Sequence, residues 1–222
     1  ALFQWTPFIL TGFGLNLLMS VLAMLIATIA GFGLGLMQLS PKWIVRTPAR
    51  LMTHLFRNSP WLVILFAIML LMPFQITFFG GEKVIIPGWA KAVIGFSLPV
   101  MANISEILRG AVMSIPSGQW ESAESLAFSR IQTLRYIILP QCIKRVIPPW
   151  MNWYALLTLS TPMAAILGVN EALGNTQAAM EAAGAKTEFL IPFYGFLLIL
   201  FFAYIFPISL LTRRLERRFV KN

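Results

Sequence analysis

Residues 8–37 read FILTGFGLNLLMSVLAMLIATIAGFGLGLM, a run with no Asp, Glu, Lys or Arg. A hydrocarbon core ~30 Å thick is crossed by ~20 mostly apolar helical residues. This run is long enough to cross it with tilt or overshoot. Four further stretches have similar character: residues 61–79, interrupted by Pro73 and Gln75; 89–108; 143–168, containing Pro148, Pro149 and Pro162; and 189–211. The chain therefore reads as an all-α polytopic membrane protein of about five transmembrane helices, a single domain over residues 1–222. Proline at membrane depth is tolerated where protein or water covers the freed carbonyl, so the second and fourth spans are the expected pathway-lining ones.

Composition agrees. Of 222 residues, 58% are hydrophobic and 11% charged, against roughly 45–50% and ~25% in soluble domains. Mean hydropathy is +0.78. A soluble fold of this size could not hide so much apolar surface. The chain opens at Ala1 rather than Met, as a trimmed chain would, and no cleavable-signal pattern follows. The single cysteine, Cys142, excludes an internal disulfide and a multi-cysteine metal site, and reads as apolar filler. The single histidine, His54, argues against His-based metal or triad chemistry and reads as an interfacial residue. No catalytic residue and no metal site is expected.

The net charge of +9 is distributed unevenly. Lys42, Arg46, Arg50 and Arg57 lie between the first and second spans. Arg109, Arg130, Arg135, Lys144 and Arg145 lie between the third and fourth. Arg213, Arg214, Arg217, Arg218 and Lys221 follow the fifth. Only Lys83, Lys91 and Lys186 fall on the opposite side. The positive-inside rule places the basic loops in the cytoplasm, the amino terminus outside and the carboxyl terminus inside. Membrane ends and anionic lipid account for these cations, so nucleic acid is not expected as a partner. In the first span Gly31 and Gly35 form a small-xxx-small pair, suited to close helix packing inside the chain or, less simply, to a subunit interface.

The loop at about residues 110–142 is long and patterned. Pro116, Ser117 and Gly118 break the preceding helix. From Gln119 onward Ala123, Leu126, Ala127, Ile131 and Leu134 recur at helical spacing as one apolar stripe. Glu121 and Glu124 are expected in the first turn, where the positive helix end favours them. Ala123 and Ala127 leave a small-residue face, and Pro140 is expected to end the segment. Such a helix either lies on the membrane surface or inserts in a groove of a soluble partner. The pattern alone leaves both open.

Glu121, Ser122, Ala123 and Ala127, followed by Ile137, Leu139 and Pro140, resemble the EAA loop (E-A-A-x-x-x-G, then I-x-L-P) of bacterial ABC importer permeases. Ser122 stands where that pattern has Ala, and Ala127 where it has Gly. Arg57-Asn58-Ser59-Pro60-Trp61-Leu62-Val63 is similar to the R-G-T-P-L-L-V stretch of the polar amino acid uptake subfamily, the histidine- and glutamine-type permeases. Glu106 to Ala111, Ser114-Ile115-Pro116 and Gly118-Gln119 resemble its E-x-x-R-G-A…S-I-P-x-G-Q. Leu159, Ser160, Thr161, Pro162 and Met163 stand where the subfamily often has K-D-T-S-L, so its charged pair is missing. That departure resembles one of two non-identical partners, or a member with unusual substrate preference.

The resemblance implies a type I importer-like permease in a bacterial inner membrane, carrying a polar amino acid or a derivative such as an opine. It implies a second permease subunit (the same chain or another), two cytoplasmic ATP-binding subunits holding ATP and Mg, and an extracytoplasmic binding protein. This chain has no G-x-x-x-x-G-K-[ST] phosphate loop; Ala185-Lys186-Thr187 only echoes its end. It also implies ATPase coupling through Gly118, Glu121, Ser122, Ala123, Ala127 and Arg130. Glu106 and Arg109 share one helical face, as a neutralising pair or as a gate or substrate contact. Asn103, Ser105, Glu106, Asn152, Ser160 and Thr161 form a candidate substrate pathway, although each alone reads as helix–helix glue. The competing classes are a self-sufficient secondary transporter or channel, which calls for inverted repeats or intramembrane ion-coupling charges, and an intramembrane enzyme, which calls for convergent nucleophiles, acids or metal ligands.

Overall fold

The computed structural model describes residues 2–77 and 83–220. Phe78 and Phe79, at the end of the expected second span, and Lys221, in the basic tail, lie outside the described residues. The first helix, α1 (Leu2–Gln38), continues through the uncharged run of the sequence. Its 37 residues extend about 55 Å, well beyond a hydrocarbon core.

The basic segment between the first two expected spans is not a loop but a helix, α2 (Trp43–Asn58). Ile44, Leu51, Met52 and Leu55 fall on one side of it, and Arg46, Arg50 and Arg57 on another. That 3.6-residue period overrides the reading of the cations as loop residues. After Ser59 and Pro60 the chain turns by 107° into α3 (Trp61–Leu71). α3 is shorter than the second span expected from the sequence. Pro73 excludes Met72 from helical geometry, and Met72 turns extended at φ −77°, ψ 133°. A small antiparallel hairpin follows, β1 (Gln75–Thr77) with β2 (Lys83–Ile85), in the register Gln75↔Ile85. Strands were not expected here.

α4 (Gly88–Met113) is the central helix. It runs parallel to α1: a Cβ on Gly31 would lie 2.7 Å from the Met101 carbonyl oxygen, and one on Gly35 would lie 3.0 Å from that of Ser105. The small-residue pair therefore serves packing inside this chain, where dispersion contacts between close backbones hold the helices. Met19, Ala23, Ala27, Leu65, Phe96, Val100, Ile104 and Leu157 form the buried centre around this contact.

α5 (Ser117–Ser125) and the short α6 (Arg130–Gln132) follow. A π-helical turn over Thr133–Ile138 then joins α6 to α7 (Leu139–Ser160) without a break. Pro140 thus starts α7 rather than ending the preceding segment. The widened turn directly precedes it, with Leu139 N–H bonded to the Leu134 carbonyl, where a proline ring disturbs α-helical packing. The fourth span is longer than expected for the same reason. It continues as a 3₁₀ stretch over Thr161–Leu167. The chain then bends by 50° into α8 (Ala172–Ala182), a helix the sequence reading missed. A short 3₁₀ turn leads into α9 (Leu190–Val220). Among the described residues α1, α4 and α9 are each long and apolar enough to cross a membrane, and counting each bent pair as one span gives five.

Candidate functional site

α5 begins where Pro116 sets an extended conformation, φ −54°, ψ 142°, after α4. Because the helix starts at Ser117, Glu121 and Glu124 lie beyond its first turn, contrary to expectation. Gly118, Glu121, Ser122 and Glu124 are exposed, while Ala123 is 1% exposed. Its small size serves packing within this chain rather than a partner-facing surface. Trp120 packs beside it on a cluster formed by Leu108, Val112, Ile115, Ile138 and Cys142.

The helix stops at Ser125, so the expected apolar stripe through Leu134 is broken. Phe128 N–H bonds the Ala123 carbonyl at 3.1 Å and Ala127 N–H bonds that of Glu124 at 2.9 Å. This pair of bonds is a Schellman motif with Ala127 at its left-handed position, φ 58°. Glycine takes that conformation freely, whereas Ala pays about 1–2 kcal/mol in Cβ contacts. Leu126 and Ile131, at 71% and 77% exposure, point away from the protein.

Ser129 then caps α6. Its Oγ accepts from Gln132 N–H while Gln132 Oε1 accepts from Ser129 N–H at 2.8 Å, a reciprocal capping box. Arg130 donates from Nη2 to the Leu39 carbonyl at 3.4 Å, which ties the segment back to the end of α1. Two further contacts join its base to α7. Gln141 Nε2 donates to Gln119 Oε1 at 3.2 Å, and Arg145 Nη1 donates to the Ser114 carbonyl at 2.8 Å and to Ser114 Oγ. The segment is thus a helix–turn–helix bound at its base to α1, α4 and α7, with its α5 carboxylates in solvent.

The six residues expected to form a substrate pathway do not converge. Ser105 is wholly buried in a hydrogen-bonded triangle: Gln38 Nε2 donates to Ser105 Oγ and to Thr53 Oγ1, both at 3.0 Å, and the two hydroxyls lie 3.2 Å apart. The triangle joins α1, α2 and α4. Glu106 takes a two-pronged contact from Arg109, Nε to Oε1 at 3.0 Å and Nη2 to Oε2 at 2.8 Å, with Arg57 Nη1 at 3.7 Å from Oε2. The contacts are those of a charge-neutralising pair, extended by a third charge. Asn103 Nδ2 bonds the Pro99 carbonyl in its own helix at 2.8 Å. Asn152 Nδ2 reaches Glu216 Oε1 on α9 at 3.4 Å. Ser160 Oγ bonds the Leu156 carbonyl at 2.8 Å.

Thr161 belongs to a separate network. Asn16 Nδ2 donates to Thr161 Oγ1 at 2.9 Å and to Glu171 Oε2 at 2.7 Å, while Asn16 Oδ1 accepts from Ala172 N–H at 2.9 Å. Glu171 Oε1 caps α8 by accepting from Gly174 N–H at 2.9 Å. Gly12 makes room for this junction: its Cβ would meet the Glu171 carbonyl carbon at 2.6 Å. Sequence reasoning missed Asn16, Gln38, Thr53 and Glu171. The signal for Asn16 was available, a lone amide within the thirty-residue apolar run.

A groove of about 590 Å³ runs between α7 and α9, lined by Leu159, Pro162, Leu197, Phe201, Phe206 and Arg213. None of the six expected pathway residues lines it. Among the described residues no three His, Cys, Asp or Glu side chains gather to hold a metal.

Residues 23–221 match the family described as binding-protein-dependent transport system inner membrane component. The probable amino-acid ABC transporter permease protein YckA of Bacillus subtilis is 38% identical over 167 residues, 75% of this chain and 71% of that protein. The octopine transport system permease protein OccM of Rhizobium radiobacter is 31% identical over 180 residues, 78% of this chain and 72% of that protein. Among solved structures, a chain of an amino acid ABC transporter with histidines superposes with TM-score 0.82 at 23% identity, covering 98% of this chain and 96% of that one. A chain of the MetNI methionine ABC transporter in an inward-facing conformation gives TM-score 0.74 at 17% identity, covering 96% and 97%.

Proposed function

The chain belongs to the family of binding-protein-dependent transport system inner membrane components, and from that premise we propose how this permease subunit of an amino acid ABC importer does its work. It moves a polar amino acid or a derivative such as an opine across a bacterial inner membrane. Permease subunits of this kind are not enzymes themselves; the ATP and Mg belong to two separate cytoplasmic ATPase subunits. A second permease subunit, identical or not, completes the pathway, and an extracytoplasmic binding protein delivers the cargo.

The observation that carries the coupling is the α5 helix–turn–helix. It presents Gly118, Glu121 and Ser122 to solvent while its base is bound to three membrane helices. Docked in a groove of the ATPase, it acts as a lever: Glu121 contacts the ATPase, Ala123 seats α5 on its own chain, Ala127 sets the turn, and Arg130 anchors the far arm to α1. A push on α5 then reaches α7 through Gln119–Gln141 and Ser114–Arg145 and biases the membrane helices between inward- and outward-facing states.

The test is vesicles holding the full transporter, fed with labelled amino acids. Native vesicles are expected to import a polar amino acid with ATP. Glu121→Lys is expected to abolish import and ATPase retention together. Survival of both in the variant would falsify the docking role, and native vesicles importing only sugars or metal ions would overturn the cargo.

A further inference from the structure

We propose that α2 is an in-plane helix at the membrane surface that binds anionic phospholipid headgroups through Arg46 and Arg50. The inference goes beyond the coupling reading and is independent of it.

Three observations carry it. The first is orientation. Thr53 and Arg57, one turn apart on α2, meet the adjacent residues Ser105 and Glu106 of α4. α2 therefore crosses α4 steeply. α3, in contrast, runs along α4, with Leu65 against Gly95 and Met69 against Gly88. With α4 crossing the membrane, the 107° turn between α2 and α3 lays α2 in the bilayer plane. The second is depth. The crossing lies seventeen residues from the start of α4 at Gly88, about 25 Å along the helix. A hydrocarbon core is ~30 Å thick, so α2 sits near its far boundary, at the end of α4 that carries Arg109.

The third is the angular distribution around α2 at about 100° per residue. Ala49 and Thr53 face the protein and are fully buried. Next to them Arg46, Arg50, His54 and Arg57 share one sector. The opposite sector holds Ile44, Leu51 and Leu55, exposed at 67%, 70% and 59%. α2 contains no acidic residue, and among the described residues neither Arg46 nor Arg50 pairs with a carboxylate; Arg57 leans on Glu106. Trp43, 68% exposed, shares the basic sector, whose charges are all positive; an apolar edge beside such a sector matches acyl chains beside phosphate groups, the chemistry of an anionic lipid leaflet.

The test places a bimane label at Leu51→Cys, with Cys142→Ser removing the other thiol, in the full chain reconstituted in phosphatidylcholine vesicles. Nitroxide-labelled phosphatidylglycerol and nitroxide-labelled phosphatidylcholine are compared as quenchers. The expected result is a preference for phosphatidylglycerol of about fivefold per arginine at low salt, shrinking toward parity near 1 M salt, where screening reaches ~3 Å. Arg46→Gln with Arg50→Gln is expected to lose the preference while both lipids still quench, and Arg46→Lys with Arg50→Lys to keep it. Equal quenching by the two lipids in the native sequence overturns the proposal. So does a preference unchanged in the double Gln variant, or a label reached only by an aqueous quencher, which would place α2 on a protein partner or in water. Should the double Gln variant not insert, the native comparison and the Lys variant decide.

Discussion

Ala127 shows how one side chain can oppose its backbone. The Schellman bonds of Phe128 and Ala127 require a left-handed residue there, and the chain supplies alanine at φ 58°. Ala127→Gly relieves the Cβ contact and is expected to stabilise the chain by about 1 kcal/mol, less the unfolded-state entropy that glycine adds. In a chain of this length that corresponds to ~2–4 °C in Tm, measurable by thermal unfolding in detergent. A fall in Tm would mean that the turn is not strained. Glu171 makes a different point. A fully buried carboxylate is costly unless bonded, and here Asn16 Nδ2 and Gly174 N–H supply the bonds. The amide from α1 and the acid before α8 are about 155 residues apart in sequence, so neither indicates the other until the chain is folded.

At the scale of elements the α1–α4 contact dominates. Gly31 and Gly35 bring α1 against the carbonyls of Met101 and Ser105, backbone against backbone. Gly31→Leu is expected to force the pair apart, at roughly 1–3 kcal/mol by analogy with overpacked cores. It should lower the folded yield and Tm, whereas Gly33→Leu, with nothing within 4 Å of its Cβ, should leave both nearly unchanged. Equal behaviour of the two variants would refute the assignment of this glycine face to internal packing. α2 and α3 show the opposite balance. Neither element spans a membrane alone, and both depend on α4 for position through Thr53–Ser105, Arg57–Glu106 and Leu65–Gly95.

For the molecule as a whole, the proposed coupling requires a path from α5 to the membrane helices. The run from α6 through the π turn into α7 is one continuous helical arm. In the proposed coupling Arg145, bonded to Ser114 between α4 and α5, is the strut that keeps the other arm in step. Arg145→Ala is expected to leave the chain folded and bound to its ATPase while import per ATP hydrolysed falls severalfold. Import unchanged at equal ATPase content would mean that the load travels by another route. Loss of ATPase binding would assign Arg145 to docking rather than transmission.

Much of the fold was legible because a membrane imposes length and polarity on each span independently of its neighbours. The apolar run of α1, the span of α4, the apolar stretch of α9 and the break at Pro116 could be read locally. So could the Glu106–Arg109 pair, three residues apart on one helix. The shortness of α3, the hairpin, the helical state of α2 and the existence of α8 could not. Each depends on where α4 and α1 lie, and period and composition describe one segment at a time. The same limit applies to the site. The α5 segment stood out by its residues as a candidate, but only the tertiary structure turned Ala123 inward, tied Arg130 to Leu39 and dispersed the six residues expected along a pathway into separate contacts. Hydrogen bonds between helices are satisfied by whichever groups the packing brings within about 3 Å, and sequence spacing carries no record of those encounters.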